Sequence, residues 1–335
     1  MELLSSSRST STEAKKIVAP AFHLMFIVAA AVAAAPVALP GCPETCGNIT
    51  VPYPFGTHRG CFREGFNLTC DETPGRPPRL LVGDGVEVVG ISLADGTVRI
   101  HTKMLGVSLP GNSSSIRFNG SWSTGVMDTG RLFVSTTHNR FVAMGCNFLA
   151  TLVVHGDDDP VSGKGNYVSV CAALCADGSE LGDTSCSGVG CCQTPIAASA
   201  MELSYGVRFS ELAVQSSASS ASSLGALFIA EQEWFVRNAT VLQLDYSGEP
   251  QRTIDTWVVP TVLEWSLLYS SRDSDLFFGS DDPNNSIGIR CISLNSTMVE
   301  DGVAGSNVGR ARCNCSKGFE GNPYIANGCQ GTPCC

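Results

Sequence analysis

Residues 86–104 read VEVVGISLADGTVRIHTKM and hold the clearest structural signal in the chain. Two runs rich in β-branched residues, Val86–Leu93 and Thr97–Met104, flank the tripeptide Ala94-Asp95-Gly96. An Asp-Gly pair between two such runs is typical of a β-hairpin turn. We therefore predict an antiparallel hairpin at this position and a mainly β protein around it.

Further runs of the same kind extend the pattern over most of the chain. Leu132–Thr136 and Phe141–Met144 flank a short polar turn, and we predict that they form a second hairpin. Ser216–Ser223 is predicted to be a flexible loop, and Glu231–Arg237 a helix of one or two turns. Later strands are predicted at Thr151–His155, Tyr167–Cys171, Ala226–Ile229, Thr240–Tyr246 and Trp257–Leu263.

Composition and charge define the organisation and exclude some functions. The chain has 335 residues, of which 43% are hydrophobic, enough to form sizeable cores. The net charge of −10 argues against a nucleic-acid partner. Residues 146–335 carry nine basic and 21 acidic side chains, whereas residues 41–145 carry nine and eight. A basic face is therefore expected only in the earlier part. We predict four segments, at residues 1–35, 41–145, 146–290 and 291–335.

The N-terminal segment indicates export. Lys15-Lys16 precedes an apolar run, Ile17 to Val37, that ends in small residues. This layout is typical of a signal peptide, which we assign to residues 1–35. The run of about 21 residues is also long enough to span a bilayer as an uncleaved anchor. The remaining chain is predicted to be secreted and extracellular, or membrane-tethered if the segment is not cleaved.

Cysteines and sequons agree with export. All 16 cysteines follow residue 41, and the even number fits a disulfide framework. Outside the cell, and without neighbouring histidines, disulfides are expected rather than zinc ligands. Structural disulfide roles are assigned to Cys42, Cys46, Cys61, Cys70, Cys171, Cys175, Cys186, Cys191 and Cys192. Glycosylation is predicted at the sequons of Asn48, Asn67, Asn112, Asn119, Asn238, Asn284, Asn295 and Asn314.

Motifs for catalysis and metal binding are missing from the sequence. It contains neither Gly-x-Ser-x-Gly nor His-Glu-x-x-His, and no two carboxylates are singled out as a glycosidase pair. Asp157-Asp158-Asp159 begins like a calcium loop, but Val161 occupies the next ligand position, so we predict a solvated turn. We therefore predict a binding protein rather than an enzyme, with no metal ligands and no cofactor.

A resemblance to a known family is carried by the stretch Cys42-Pro43-Glu44-Thr45-Cys46-Gly47-Asn48-Ile49-Thr50-Val51-Pro52-Tyr53-Pro54-Phe55-Gly56. It is similar to the start of the extracellular region of plant wall-associated receptor kinases, in the module that binds galacturonan. Similarity continues at Gly60-Cys61, residues 65–71, 78–80, 86–100, 188–193, 226–235 and 259–265. Residues 313–329 resemble the first EGF-like repeat of that family.

The resemblance implies two disulfide-stabilised β-rich modules followed by a truncated EGF-like tail. The family continues into a transmembrane helix and a kinase, so the expectation is a kinase-less relative. The family also places a cysteine where Thr297 and Met298 stand here. One of Cys291, Cys313, Cys334 or Cys335 is therefore expected to lack its usual partner, and the bridge that the resemblance favours is Cys315–Cys329.

The resemblance further implies a ligand in the plant cell wall, de-esterified pectin (homogalacturonan) or oligogalacturonides. These are polyanions, and arginine forks match the geometry of carboxylates. Arg99 and Lys103 lie four residues apart on one predicted strand and therefore share a face. Calcium is expected at most as a bridge between protein and polymer. The candidate ligand contacts are Tyr53, Phe55, Arg59, Arg63, Arg76, Arg79, Arg99 and Lys103.

Two alternatives stay open at this point. Pro52 and Pro54 predict a rigid turn, in which Tyr53 and Phe55 pack into the core instead of facing a sugar. The second alternative is a protein-recognition ectodomain that binds other wall-associated receptor ectodomains, as a co-receptor or decoy, without binding carbohydrate.

Overall fold

The computed structural model describes residues 35–109, 117–126, 131–153, 167–175, 185–197, 202–212, 223–270, 291–300 and 308–332. The protein is mainly β in these ranges, as predicted, and residues Ala35–Cys335 make one compact unit. The predicted signal segment, apart from Ala35, lies outside them. None of the helices in the described ranges is long and apolar enough to cross a bilayer.

The N-terminal part forms a short hairpin and most of a six-stranded antiparallel sheet. The hairpin pairs β1 (Thr45–Cys46) with β2 (Ile49–Thr50). The predicted hairpin at 86–104 is confirmed as β5 and β6, with a bulge between Val88 and Gly90. The order in the sheet is β3-β4-β5-β6-β16-β9. Its strands are β3 (Leu68–Asp71), β4 (Arg79–Val82), β5 (Val86–Ser92), β6 (Thr97–Lys103), β9 (Leu132–Val134) and β16 (Val258–Trp265).

Two four-stranded antiparallel sheets form the middle of the molecule. One has the order β13-β10-β15-β7, with β7 (Leu105–Leu109), β10 (Asn139–Met144), β13 (Cys191–Pro195) and β15 (Ser223–Glu231). The other has the order β12-β11-β14-β8, with β8 (Arg117–Ser123), β11 (Phe148–Val153), β12 (Tyr167–Ala173) and β14 (Ser204–Glu211).

The C-terminal residues form two small sheets. A three-stranded sheet has the order β17-β19-β18, with β17 (Leu267–Ser270), β18 (Ser296–Glu300) and β19 (Val308–Cys315). The hairpin of β20 (Phe319–Gly321) and β21 (Cys329–Gly331) follows it.

Strands β10 and β15 are buried on both faces, which explains their nearly continuous hydrophobic sequences. Along each of these two strands, the side chains point alternately toward two different cores. Phe141 and Ile229 belong to the larger core, which is shared with the other sheets. Val142 and Phe228 belong to the smaller core, which is covered by the helices α1 (Gln232–Gly248) and α2 (Pro250–Thr256).

The helical region corrects one predicted strand and extends one predicted helix. Thr240–Tyr246 is not a strand but part of α1, and the short helix predicted at Glu231–Arg237 continues to Gly248. The buried residues Phe235, Ala239, Leu242 and Tyr246 recur every three or four positions, which is the spacing of one helical face. Packing of this face on the smaller core outweighs the β preference of residues such as Thr240 and Val241.

The second predicted hairpin is also wrong. Leu132–Val134 pairs with β16, whereas Asn139–Met144 pairs with β13 and β15. The two strands are kept apart by the side chain of Asn139, which is fully buried. Its amide nitrogen donates to the carbonyls of Ser135 and Val262, at 2.7 Å each, and its Oδ1 accepts a hydrogen bond from the Val262 amide at 2.9 Å. This side chain fixes a corner at which the chain changes sheets.

Strands on both sides of the predicted boundary at 145/146 share the same sheets. β6 pairs with β16, β7 with β15, and β8 with β14. Residues 41–145 and 146–290 are therefore interleaved rather than consecutive. The predicted turn at Asp157–Asp159 lies outside the described residues, as does the predicted loop at Ser216–Ser223 except for Ser223, which is the first residue of β15.

The described residues contain seven disulfides. These bridges include all eleven cysteines that the sequence analysis predicts to be disulfide-bonded. Cys315–Cys329 is present, as expected from the resemblance. Cys291, for which a missing partner was one expectation, is bonded to Cys313, while Cys334 and Cys335 lie outside the described ranges. The other bridges are Cys42–Cys61, Cys46–Cys70, Cys146–Cys175, Cys171–Cys192 and Cys186–Cys191.

Candidate functional site

The segment between β2 and β3, residues 51–67, is a loop with a firmly held backbone, which we call the basic loop. One disulfide ties Cys61 of the loop to Cys42, and another joins Cys46 in β1 to Cys70 in β3. Within the loop, the Arg63 amide donates to the Pro54 carbonyl at 2.9 Å, and the Phe66 amide donates to the Arg63 carbonyl at 2.9 Å. The loop therefore displays its side chains from a rigid backbone.

The aromatic residues of the loop lie mainly inside the protein. Phe55 and Phe66 are 1% exposed, and their rings meet edge to face, with 5.0 Å between centroids. Both contact the buried Trp265 of β16. Tyr53 is half-buried against the same core. Phe55 is therefore a core residue, as in the first alternative above, and Tyr53 offers at most part of its ring to a ligand.

The predicted basic residues differ in their surroundings. Arg59 of the basic loop is exposed and Arg63 is half-buried. Arg79 forms an ion pair with Asp71 at 2.9 Å. Hydrogen bonds from Thr73 and then from Arg79 lower the pKa of Asp71 below its ordinary value. Arg79 is thus already neutralised by a carboxylate of the protein, whereas Arg59 projects from the loop into solvent.

Arg99 and Lys103 do share one face of β6, as predicted, but carboxylates from neighbouring strands lie beside this face. The burial of β6 alternates along the strand, and His101 lies between the two basic residues on the same face. Arg99 forms an ion pair with Glu231, and Nδ1 of His101 lies 3.0 Å from Glu87. Lys103 is exposed at the end of the strand. An anionic polymer would have to compete with two carboxylates on this face.

Arg131, which sequence reasoning did not select, lies against the basic loop. Its guanidinium carbon is 5.7 Å from the centroid of the Phe66 ring. Gly65 has a positive φ of 85°, and a Cβ there would come within 2.7 Å of Cδ and Nε of Arg131. The guanidinium therefore crosses the loop where only glycine leaves room. Burial lowers the pKa of Arg131, the charge of Arg63 lowers it further, and Glu64 acts in the opposite direction.

Arg131 could not be found from local sequence because its position depends on tertiary pairing. It precedes β9, an edge strand whose partner β16 lies more than a hundred residues later. Its carbonyl accepts a hydrogen bond from the Ser266 amide at 3.0 Å. The only local hint is the glycine at position 65, next to Phe66, because a glycine leaves room for another side chain to cross the loop.

The described sequons differ in accessibility. Asn48, Asn67, Asn119 and Asn295 are exposed, whereas Asn238 and Asn314 are half-buried. The amide of Asn238 donates to the Trp234 carbonyl at 2.8 Å within α1. Asn112 and Asn284 lie outside the described residues.

The disulfide-held basic loop and the antiparallel sheets thus belong to one mainly β unit. Residues 42–102 match the wall-associated receptor kinase galacturonan-binding family. No solved structure matches the chain significantly.

The similarity extends well beyond that domain. The chain is 32% identical to wall-associated receptor kinase 4 of Arabidopsis thaliana over 87% of its length, and 29% identical to wall-associated receptor kinase-like 10 of the same plant over 92%. It spans only 34% and 40% of these two relatives. Residues 42–102 are therefore similar to the galacturonan-binding domain of this family, and the chain is similar to wall-associated receptor kinases over most of its own length.

Proposed function

We propose that this protein binds de-esterified pectic polysaccharide outside the cell, through its basic loop. The observation that carries the proposal is that the loop, with Arg59 and Arg63, lies within the domain that matches the galacturonan-binding family. Guanidinium groups suit the carboxylates of galacturonate because their donors can engage both oxygens. The disulfides described above support an oxidising, extracellular location.

Binding of this kind depends on several weak contacts. One exposed ion pair contributes about 0–1 kcal/mol, so useful affinity needs several carboxylates on one polymer chain. Salt screens such contacts over about 10 Å at 0.1 M ionic strength, so the affinity falls as salt is added. A polymer meets this requirement because its carboxylates repeat along the chain.

The test compares two variants that each remove two positive charges. The secreted, oxidised full chain is titrated onto immobilised de-esterified homogalacturonan over a salt series, with and without calcium. Arg59→Gln/Arg63→Gln is expected to weaken binding more than Arg99→Gln/Lys103→Gln, because Arg59 projects into solvent whereas Arg99 already has a carboxylate partner in Glu231. If Arg99→Gln/Lys103→Gln weakens binding more, the ligand binds at β6 rather than at the basic loop. Absence of saturable binding by the folded wild-type chain would refute the proposed function.

A second candidate function, recognition of another receptor ectodomain, is favoured by one surface feature. Ile292, Leu294 and Met298 are 48%, 74% and 39% exposed beside and on β18. These three exposed apolar side chains fall within seven residues of sequence, and clustered exposed apolar side chains are typical of protein contact sites. Capture of a wall-associated receptor ectodomain by the wild-type chain, lost in Leu294→Asp and accompanied by no polymer binding, would support this candidate over the first.

A further inference from the structure

We propose that Asn322 is a positioning residue for the basic loop, so that the C-terminal hairpin of β20 and β21 belongs to the ligand-binding unit. Asn322 directly follows β20 and is 1% exposed. It lies far outside residues 42–102, which match the galacturonan-binding family. The inference rests on the proposed function, because it names a residue that holds the binding loop in place.

The side chain of Asn322 holds the basic loop by hydrogen bonds. Its amide nitrogen donates to the Tyr53 carbonyl in the loop at 2.8 Å and to the Val37 carbonyl at 2.7 Å. Its Oδ1 accepts the Tyr324 amide at 2.9 Å. A carboxamide can make these bonds at once because it carries two donors and an acceptor. Asn322 therefore joins the N-terminal residues, the basic loop and the C-terminal hairpin at one point.

The contact with the Tyr53 carbonyl leads directly to a basic residue of the loop. Pro54 follows Tyr53, and its carbonyl accepts the Arg63 amide at 2.9 Å. The backbone at residues 53 and 54 thus connects Asn322 on one side with Arg63 on the other. Loss of the Asn322 side chain would loosen the backbone from which Arg63 is displayed.

The turn that carries Asn322 is itself firmly held. The Asn322 amide donates to the Gly328 carbonyl at 2.9 Å. A Cβ at residue 328 would collide with the Asn322 carbonyl, so the turn closes in this way only with glycine there. The Cys315–Cys329 bridge ties the beginning of β21 to the end of β19. The hairpin can therefore act as a fixed support for the loop.

Such a support affects affinity through the conformation of the free protein. A loop that is already held in its binding conformation avoids the cost of being ordered when the ligand binds. If the loop without Asn322 is competent about a tenth of the time, the apparent affinity falls about tenfold. The coupling is reciprocal, so a bound ligand must stabilise the Asn322 contacts by the same factor.

The test compares Asn322→Ala with Asn139→Ala, which removes a matched set of bonds elsewhere. Asn139 is also 1% exposed, donates to two backbone carbonyls and accepts one backbone amide. Its partners, Ser135 and Val262, lie outside the basic loop. Both substitutions should therefore cost similar stability, but only Asn322→Ala releases the loop.

Binding of a short de-esterified oligogalacturonide to the oxidised full chain is measured by calorimetry, at a temperature where circular dichroism shows each variant to be folded. Asn322→Ala is expected to lower the affinity about tenfold, because the loop loses its support. Asn139→Ala is expected to lower it by less than about twofold, because the loop keeps that support.

Hydrogen exchange of the wild type gives a second readout, which decides the question if Asn322→Ala does not fold. Addition of the oligogalacturonide is expected to slow exchange of the Asn322 and Tyr53 amides, because ligand and support stabilise each other. The Val262 amide, which bonds to Asn139, is expected to change little.

The possible results keep the two proposals apart. If the folded wild type binds no oligogalacturonide, the proposed function fails, and the positioning role fails with it. If the wild type binds and folded Asn322→Ala binds equally well, the function stands and the positioning role is refuted. Equal losses of affinity in the two alanine variants, or equal slowing of all three amides, would show a general effect of stability and would also refute the positioning role.

Discussion

Replacement of Trp265 by alanine is expected to destabilise the fold strongly, because this side chain joins the basic loop to two distant parts of the chain. Trp265 is fully buried in β16. Its ring centroid lies 5.4 Å from that of Phe55, 5.6 Å from that of Phe66 and 5.8 Å from that of Tyr324. The substitution removes three aromatic contacts and opens a large cavity at their centre.

The magnitude follows from these contacts. Large aromatic side chains cost about 3–5 kcal/mol when truncated to alanine in a core. Each aromatic pair adds about 0.5–1.5 kcal/mol beyond the area it buries. With three pairs lost, we expect Trp265→Ala to cost about 5 kcal/mol, at the top of the range. Trp265→Phe is expected to cost far less, within about 1 kcal/mol, because Nε1 of Trp265 has no hydrogen-bond partner among the described residues and phenylalanine removes that buried donor.

The assay is guanidinium chloride unfolding of the oxidised chain, followed by far-UV circular dichroism and analysed by linear extrapolation. Three other tryptophans remain in either variant, so fluorescence gives an independent second probe. A loss below about 1 kcal/mol for Trp265→Ala would contradict the packing argument. An equal loss for the phenylalanine variant would contradict the assignment of an unsatisfied indole donor.

Three further predictions concern stability. Asn322→Ala is expected to cost about 2–3 kcal/mol in denaturant unfolding, because its buried amide donates to two backbone carbonyls at 2.7 and 2.8 Å that would lose their partner. A fragment of residues 41–145 is expected to show no cooperative unfolding and rapid proteolysis, since β6 would lack its partner β16; a protease-resistant fragment would contradict this. The pKa of Asp71 is lowered in the folded state by Thr73 and Arg79, so its contribution to stability is present above the ordinary value of 3.8 and is lost as the pH falls through the lower folded value. The melting temperature of Asp71→Asn should therefore fall less steeply than that of the wild type in this acid range, and parallel curves would refute the assignment.

The fold was predictable from the sequence where the decisive interactions are local. The hairpin around Asp95-Gly96 follows from turn chemistry and β-branched runs, and it is present as β5 and β6. The strands at Tyr167 and Ala226 were placed correctly for the same reason. Arg59 and Arg63, two of the candidate ligand contacts named from the sequence, both lie in the basic loop.

The rest depended on contacts between distant residues. Thr240 and Val241 favour a strand locally, yet the core beneath α1 selects a helix. The residues around 135–139 resemble a hairpin turn, yet the buried amide of Asn139 binds Val262 and sends the chain into another sheet. From the sequence, Arg99 is expected to be able to bind an anionic ligand, but in the structure it forms an ion pair with Glu231, which is distant in the chain. In each case the deciding contact is made by a residue distant in the sequence, which no local pattern identifies.

The same dependence determines how far the family's domain can act alone. The match to the galacturonan-binding family ends at residue 102, inside β6, whose outer edge is completed by β16. β16 supplies Trp265 to the core beneath the basic loop, and the segment before β9 supplies Arg131 to its surface. Part of the core packing beneath the loop and one of the positive charges beside it therefore come from residues after 130. It follows that ligand binding should be measured on the whole chain rather than on residues 42–102 alone.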